Sequence, residues 1–127
     1  MRSPASECVT LVEILELTRP FEEFAMACQA ATRRLEAEGI QSLVSVQFYS
    51  NPGSAEVGAV LIFADPAEMM RHIEMIMGWD EFHRLMGTVK PIEVRVHGKL
   101  SAEVEEWIRK LNVVERVFTH HIAGFVR

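Results

Sequence analysis

The sequence predicts an α+β fold, an antiparallel sheet threaded in βαββαβ order with an extra helix and strand at the C-terminal end. Three observations lead there. Apolar residues recur every second position in some segments and every third or fourth in others; turn and cap residues punctuate those segments; and two strands are apolar on both sides. With 127 residues, 49% hydrophobic and 24% charged, the chain has the make-up of one folded domain spanning residues 1–127.

The elements follow in order. Cys8 to Leu17 (CVTLVEILEL) is rich in Val, Ile and Leu, stops at Thr18-Arg19-Pro20, and reads as a strand. Phe21 to Glu38 changes period, with Phe21, Phe24, Cys28, Ala31 and Leu35 recurring as one face of a helix and Gly39 placed to end it. Ile40 to Tyr49 alternates as a strand. Ser50-Asn51-Pro52-Gly53 begins a turn, and VGAVLIFA from Val57 to Ala64 completes a hairpin. Asp65-Pro66-Ala67-Glu68 has the residues of a helix start, an N-cap acceptor, a first-position proline and a capping-box glutamate. The helix it opens is expected to run to Gly87. Lys90 to Leu100 alternates cleanly, Ile92, Val94 and Val96 against Glu93, Arg95 and His97. Ser101 caps a last helix with Val104, Trp107, Ile108 and Leu111 on one face, and Val113 to Arg127 is β-like again. The order is the ferredoxin-like split βαβ pattern.

Two helices cover one side of such a sheet. The first strand nevertheless sets Val9, Leu11 and Leu15 against Val12 and Ile14, and the third sets Val57, Leu61 and Phe63 against Val60 and Ile62. Strands apolar on both sides need cover on both sides. A second copy packing sheet to sheet supplies it, so a homodimer is expected; the competing solution is cover by the last helix and tail of the same chain.

Bulk properties narrow the partners. The net charge of -5 and the dispersed Lys and Arg argue against nucleic acid. No apolar run reaches the roughly 20 residues needed to cross a bilayer, and MRSPASE lacks a signal-peptide core. A cytoplasmic location is expected, with residues 1–7 a flexible segment and Cys8 and Cys28 reduced thiols.

This element order, the double-sided sheet and a methionine-rich second helix carrying Trp79, Phe82 and His83 resemble the dimeric α/β-barrel superfamily, within it the antibiotic-biosynthesis-monooxygenase-like proteins. The resemblance spans roughly Val9 to Leu100. It implies two ferredoxin-like protomers joined into a dimeric α/β barrel, with a ligand cleft between each sheet and its helices. Some members oxidise polycyclic aromatic substrates without metal or flavin, some degrade haem, and many have no known activity. Trp79 and His83 are the implied second-helix counterparts. The asparagine expected early on the first strand of haem-degrading members has no match in CVTLVEILEL, which counts against that activity.

The candidate site is the stretch MMRHIEMIMGWDEFHRLM, Met69 to Met86. Wound as one helix it puts His72, Met75, Ile76, Trp79, Phe82, His83 and Met86 on an inward stripe, provided the helix passes Gly78 unbroken. His72 and His83 then stand roughly 16 Å apart, too far to share a metal, and His120-His121 point to opposite faces of a strand. No metal site and no cofactor are expected. Acid–base work remains open to His83, the candidate catalytic residue, beside Trp79 as an aromatic wall. His72, Tyr49, Phe82 and Met86 complete the expected ligand-binding set. The alternative for both histidines is a packed structural role. Glu13, Gln47, Arg95 and His97 are polar strand positions, read as surface or as a seam between protomers, with the lining of a barrel interior as the alternative. The expected function is binding of a small, mostly apolar organic ligand; a cofactor-independent monooxygenase acting on an aromatic substrate and a dimerisation module without catalysis are the alternatives.

Overall fold

A computed structural model describes residues 8–127. The expected flexible segment, residues 1–7, lies outside the described residues. The elements are β1 (Val9–Leu17), α1 (Phe21–Glu38), β2 (Leu43–Ser50), β3 (Glu56–Phe63), α2 (Met69–Ile76), α3 (Asp80–Met86), β4 (Val89–His97), α4 (Ala102–Arg109) and β5 (Val114–Phe118). They form one sheet in the order β2-β3-β1-β4-β5. The β1–β3, β1–β4 and β2–β3 pairs are antiparallel, whereas β5 joins β4 in parallel. This is the ferredoxin-like α+β arrangement with the C-terminal strand added at one edge.

Local chemistry places the ends. Gly39 closes α1 by donating its N–H to the Leu35 carbonyl at 2.8 Å, and a Cβ there would come within 2.4 Å of that oxygen. Asp65 caps as expected, accepting from the Ala67 N–H at 2.9 Å, but it opens a single 3-10 turn, Pro66–Glu68, ahead of α2. Glu68 pairs with Arg71 at 3.3 Å. Ser101 caps α4 through the Val104 N–H at 3.3 Å. The β4 strand stops at His97 because Gly98, at φ +129°, lies against the Cys8 and Val9 backbone where a side chain has no room. The β2 strand begins later than its alternation suggests, since Ile40–Leu43 is a turn and a bulge follows, leaving Val44 exposed. Beyond Phe118 the tail carries no strand.

The expected single helix from Asp65 to Gly87 is two. It ends at Ile76; Met77 and Gly78 turn, and Trp79 takes an extended conformation (φ -96°, ψ 132°) before α3 starts. Glycine lowers the cost of leaving the helix here, and the extended residue resets the helical phase.

The odd-numbered residues of β1 and their partners on β3 and β4 face the helices. Val9, Phe63, Val94 and Val96 pack with Met69 and Ile73 of α2 and with Val104 and Ile108 of α4. Leu15 and Val57 pack with Phe24, Cys28 and Ala31 of α1 and with Leu85 of α3. All four helices therefore contribute to one side. Among the described residues no element covers the other side, where Val12, Ile14, Val60 and Ile62 are half-buried between Gln47 on one flank and Arg95 and His97 on the other. Cover of that side by α4, weighed from sequence, does not occur.

Candidate functional site

Between the sheet and the helices lies a cavity of about 110 Å³. Its floor is Leu11, Glu13 and Leu15 of β1 with Leu61 and Phe63 of β3. Its roof comes from every helix: Ala31 and Leu35 of α1, His72, Ile73 and Ile76 of α2, Phe82, Leu85 and Met86 of α3, and Val104, Trp107 and Ile108 of α4, with Trp79 in the α2–α3 link. An engineered apolar cavity of roughly 150 Å³ in another protein stays dry and takes up benzene, so this smaller space has room for one ring at most.

The α2–α3 break decides which side chains point in. Trp79, buried at 7% exposure, forms a wall, held from outside by the Arg34 guanidinium 4.4 Å from its ring centre. Arg34 also reaches Glu81 of α3 at 2.9 Å, tying α1 to α3 over the indole. Phe82 and Met86 line the cavity as the sequence stripe anticipates. His83 does not. Its ring stands on the exposed side of α3, with Nε2 2.7 Å from the Met77 carbonyl oxygen, because the extended Trp79 rotates α3 relative to the expected continuous stripe. Tyr49 is also elsewhere, exposed in an open groove between α1 and β2.

His72 lines the cavity from α2, 4% exposed. Its ring meets Phe63 edge-on at 5.2 Å, and Nδ1 has no hydrogen-bond partner among the described residues. Burial pulls its pKa down to about 4, so the imidazole is neutral at physiological pH.

Glu13 is the residue that the sequence reading misplaces. It lies on the helix side at the centre of the sheet, between Ala59 of β3 and Val94 of β4, and its remaining surface opens on the cavity. Desolvation pushes its carboxyl up to about 7. The signal was in the alternation itself: Val9, Leu11, Glu13 and Leu15 share one parity, so the acid belongs to the apolar set. Gln47, Arg95 and His97 do lie on the far side of the sheet. Among the described residues no group of three or more His, Cys, Asp or Glu side chains is arranged to hold a metal, and no helix is long and apolar enough to cross a membrane.

The sequence itself matches no family model and no curated protein. Solved structures do match. MupZ from Pseudomonas fluorescens superposes with a TM-score of 0.70 at 15% identity, over 95% of this chain and 95% of that one. SnoaB from Streptomyces nogalater, a cofactor-independent oxygenase, gives 0.62 at 10% identity over 76% of this chain and 96% of its own. A provisionally assigned antibiotic biosynthesis monooxygenase from Caulobacter crescentus CB15 gives 0.54 at 15% identity over 72% and 88%.

The fold is that of the antibiotic-biosynthesis-monooxygenase-like proteins. At these identities the likeness is one of shape, and shape leaves the chemistry to the site. The MupZ match is long enough to take in α4 and β5, the elements that extend the minimal ferredoxin-like pattern.

Proposed function

We propose that this chain is a cytoplasmic homodimer that holds a small, mostly apolar organic molecule in the cavity between its sheet and helices. The observation that carries the reading is the cavity itself, an apolar space roofed by four helices with Trp79, Phe82, Met86 and His72 in its wall. The uncovered side of the sheet supports the dimer: half-buried Val12, Ile14, Val60 and Ile62 form an apolar centre, and Gln47, Arg95 and His97 a polar rim, the anatomy of a protein interface. Titration with toluene, followed by the fluorescence of Trp79 and Trp107, tests the cavity. Saturable binding is expected in the native chain and its loss in Ile76→Phe, which fills the space; a folded protein that binds none of a panel of single-ring aromatics overturns the reading. Light scattering at micromolar concentration tests the dimer, and a monomer there removes it.

A second reading is a cofactor-independent monooxygenase acting on an aromatic substrate. It is favoured by the shared fold with SnoaB and by two indoles, Trp79 and Trp107, facing one cavity. Oxygen uptake by the purified protein with a panel of phenols is its test. In this reading His83 stands on the exposed side of α3, away from the cavity lining. Persistence of the dimer with no ligand bound and no turnover leaves the dimerisation module.

A further inference from the structure

An acid set into the middle of an apolar floor needs a reason, because a carboxyl drawn out of bulk water without a partner costs stability that a leucine in its place does not. Glu13 stands between Leu11 and Leu15 along β1, opposite Ala59 and Val94 across it. Among the described residues no hydrogen bond or ion pair satisfies its carboxyl. We propose that Glu13 is the specificity-determining residue of the cavity, a neutral carboxylic acid that donates its proton in a hydrogen bond to a ligand oxygen, so that the preferred occupant is a single-ring aromatic carrying a carbonyl. This rests on the ligand-binding reading above and adds the chemistry of the occupant.

The surroundings keep the acid neutral below about pH 7. The cavity it opens on is lined from α1 by Ala31 and Leu35, from α3 by Phe82, Leu85 and Met86, and from α4 by Val104, Trp107 and Ile108, none of which titrates in the accessible range. The one other titratable group in the lining is His72 of α2, and burial holds it uncharged above about pH 4. No cation therefore stabilises the carboxylate, and the pKa of Glu13 rises to about 7. Below that pH the side chain donates. Above it the side chain is a charged acceptor that repels a carbonyl oxygen.

The test compares acetophenone, whose oxygen accepts but does not donate, with α-methylstyrene, which has the same shape and a CH₂ in place of the oxygen. Calorimetric titration of the native chain at pH 6 is expected to give acetophenone roughly a three- to tenfold tighter Kd, the worth of one net hydrogen bond, and to lose that preference at pH 8.5. Glu13→Gln, whose amide N–H still donates, is expected to keep the preference at both pH values. Glu13→Leu is expected to lose it at both while still binding α-methylstyrene. Equal affinities in the native chain at pH 6, or a preference surviving in Glu13→Leu, overturns the assignment and leaves the apolar cavity standing. Failure of both probes to bind the native chain overturns the cavity reading and this inference together.

Discussion

The two sides of the sheet are built from the same strands and both have an apolar centre, yet they live in different surroundings. On the helix side Val9, Ala59 and Phe63 are at most 1% exposed, and Glu13, half-buried among them, opens on the cavity. On the far side Val12, Ile14, Val60 and Ile62 keep partial exposure, while Arg95 and His97 reach water, Arg95 paired with Glu93 and His97 edge-on to Phe118 at 5.5 Å. What separates them is helix cover. A polar residue on the uncovered side is solvated and unremarkable; the same kind of residue under helices becomes a carboxyl that holds its proton up to about pH 7.

Substitutions of matched residues on the two sides should separate them most strongly. Phe63→Ala removes a ring packed against His72 and Met69, and a loss of about 3–5 kcal/mol is expected in urea unfolding. Its neighbour Ile62→Ala, on the far side, should cost well under half as much in a monomeric state and instead weaken self-association, read by light scattering across a dilution series. Equal losses for the two would break the distinction.

Next in size is a pH effect confined to the covered side. Glu13 is raised to about 7 from 4.5, so the folded state holds a proton that the unfolded chain releases, and stability falls as pH rises through that window. His72 is lowered to about 4 from 6.5, so its contribution runs the other way, lost as pH falls from 6.5 towards 4. Between about pH 4.5 and 6.5 the two oppose each other, and the native chain should show a nearly flat stability profile there. Glu13→Gln should uncover the histidine, with stability climbing by about 3 kcal/mol from pH 4 to 6.5 in thermal or urea melts. A flat profile in that variant sinks the account of His72.

The smallest expected effect is at the helix break. A Cβ on Gly78 meets nothing closer than the Met75 carbonyl at 3.6 Å, so Gly78→Ala should fit and change stability by less than about 1 kcal/mol. If the variant also moved Trp79, seen as a changed fluorescence maximum, the glycine would be setting the indole's position as well as permitting the turn.

How far the sequence reaches can be judged residue by residue. The bounds of α1, Phe21–Glu38, follow from its apolar spacing and from Pro20 and Gly39 at its ends, and the structure has the same bounds. Trp79, Phe82 and Met86 were legible as inward-facing because their spacing survives the break. His83, next to Phe82 on the expected stripe, was not, since the extended residue at Trp79 shifts the phase of α3 enough to turn it outward while Phe82 and Met86 stay on the cavity. Glu13 was legible by parity and obscured by composition, because charged strand residues ordinarily face water.

Alternation, caps and turn residues are local, carried by neighbours along the chain, and they determined the element order, the sheet and its two apolar sides. Which side the helices cover depends on how α1, α2, α3 and α4 pack over β1, β3 and β4, residues distant in sequence, and only the tertiary structure decided it. Burial, and with it the protonation of Glu13 and His72, depends on that packing, because a carboxyl's preference for charge follows the dielectric around it and not the residues beside it in the chain.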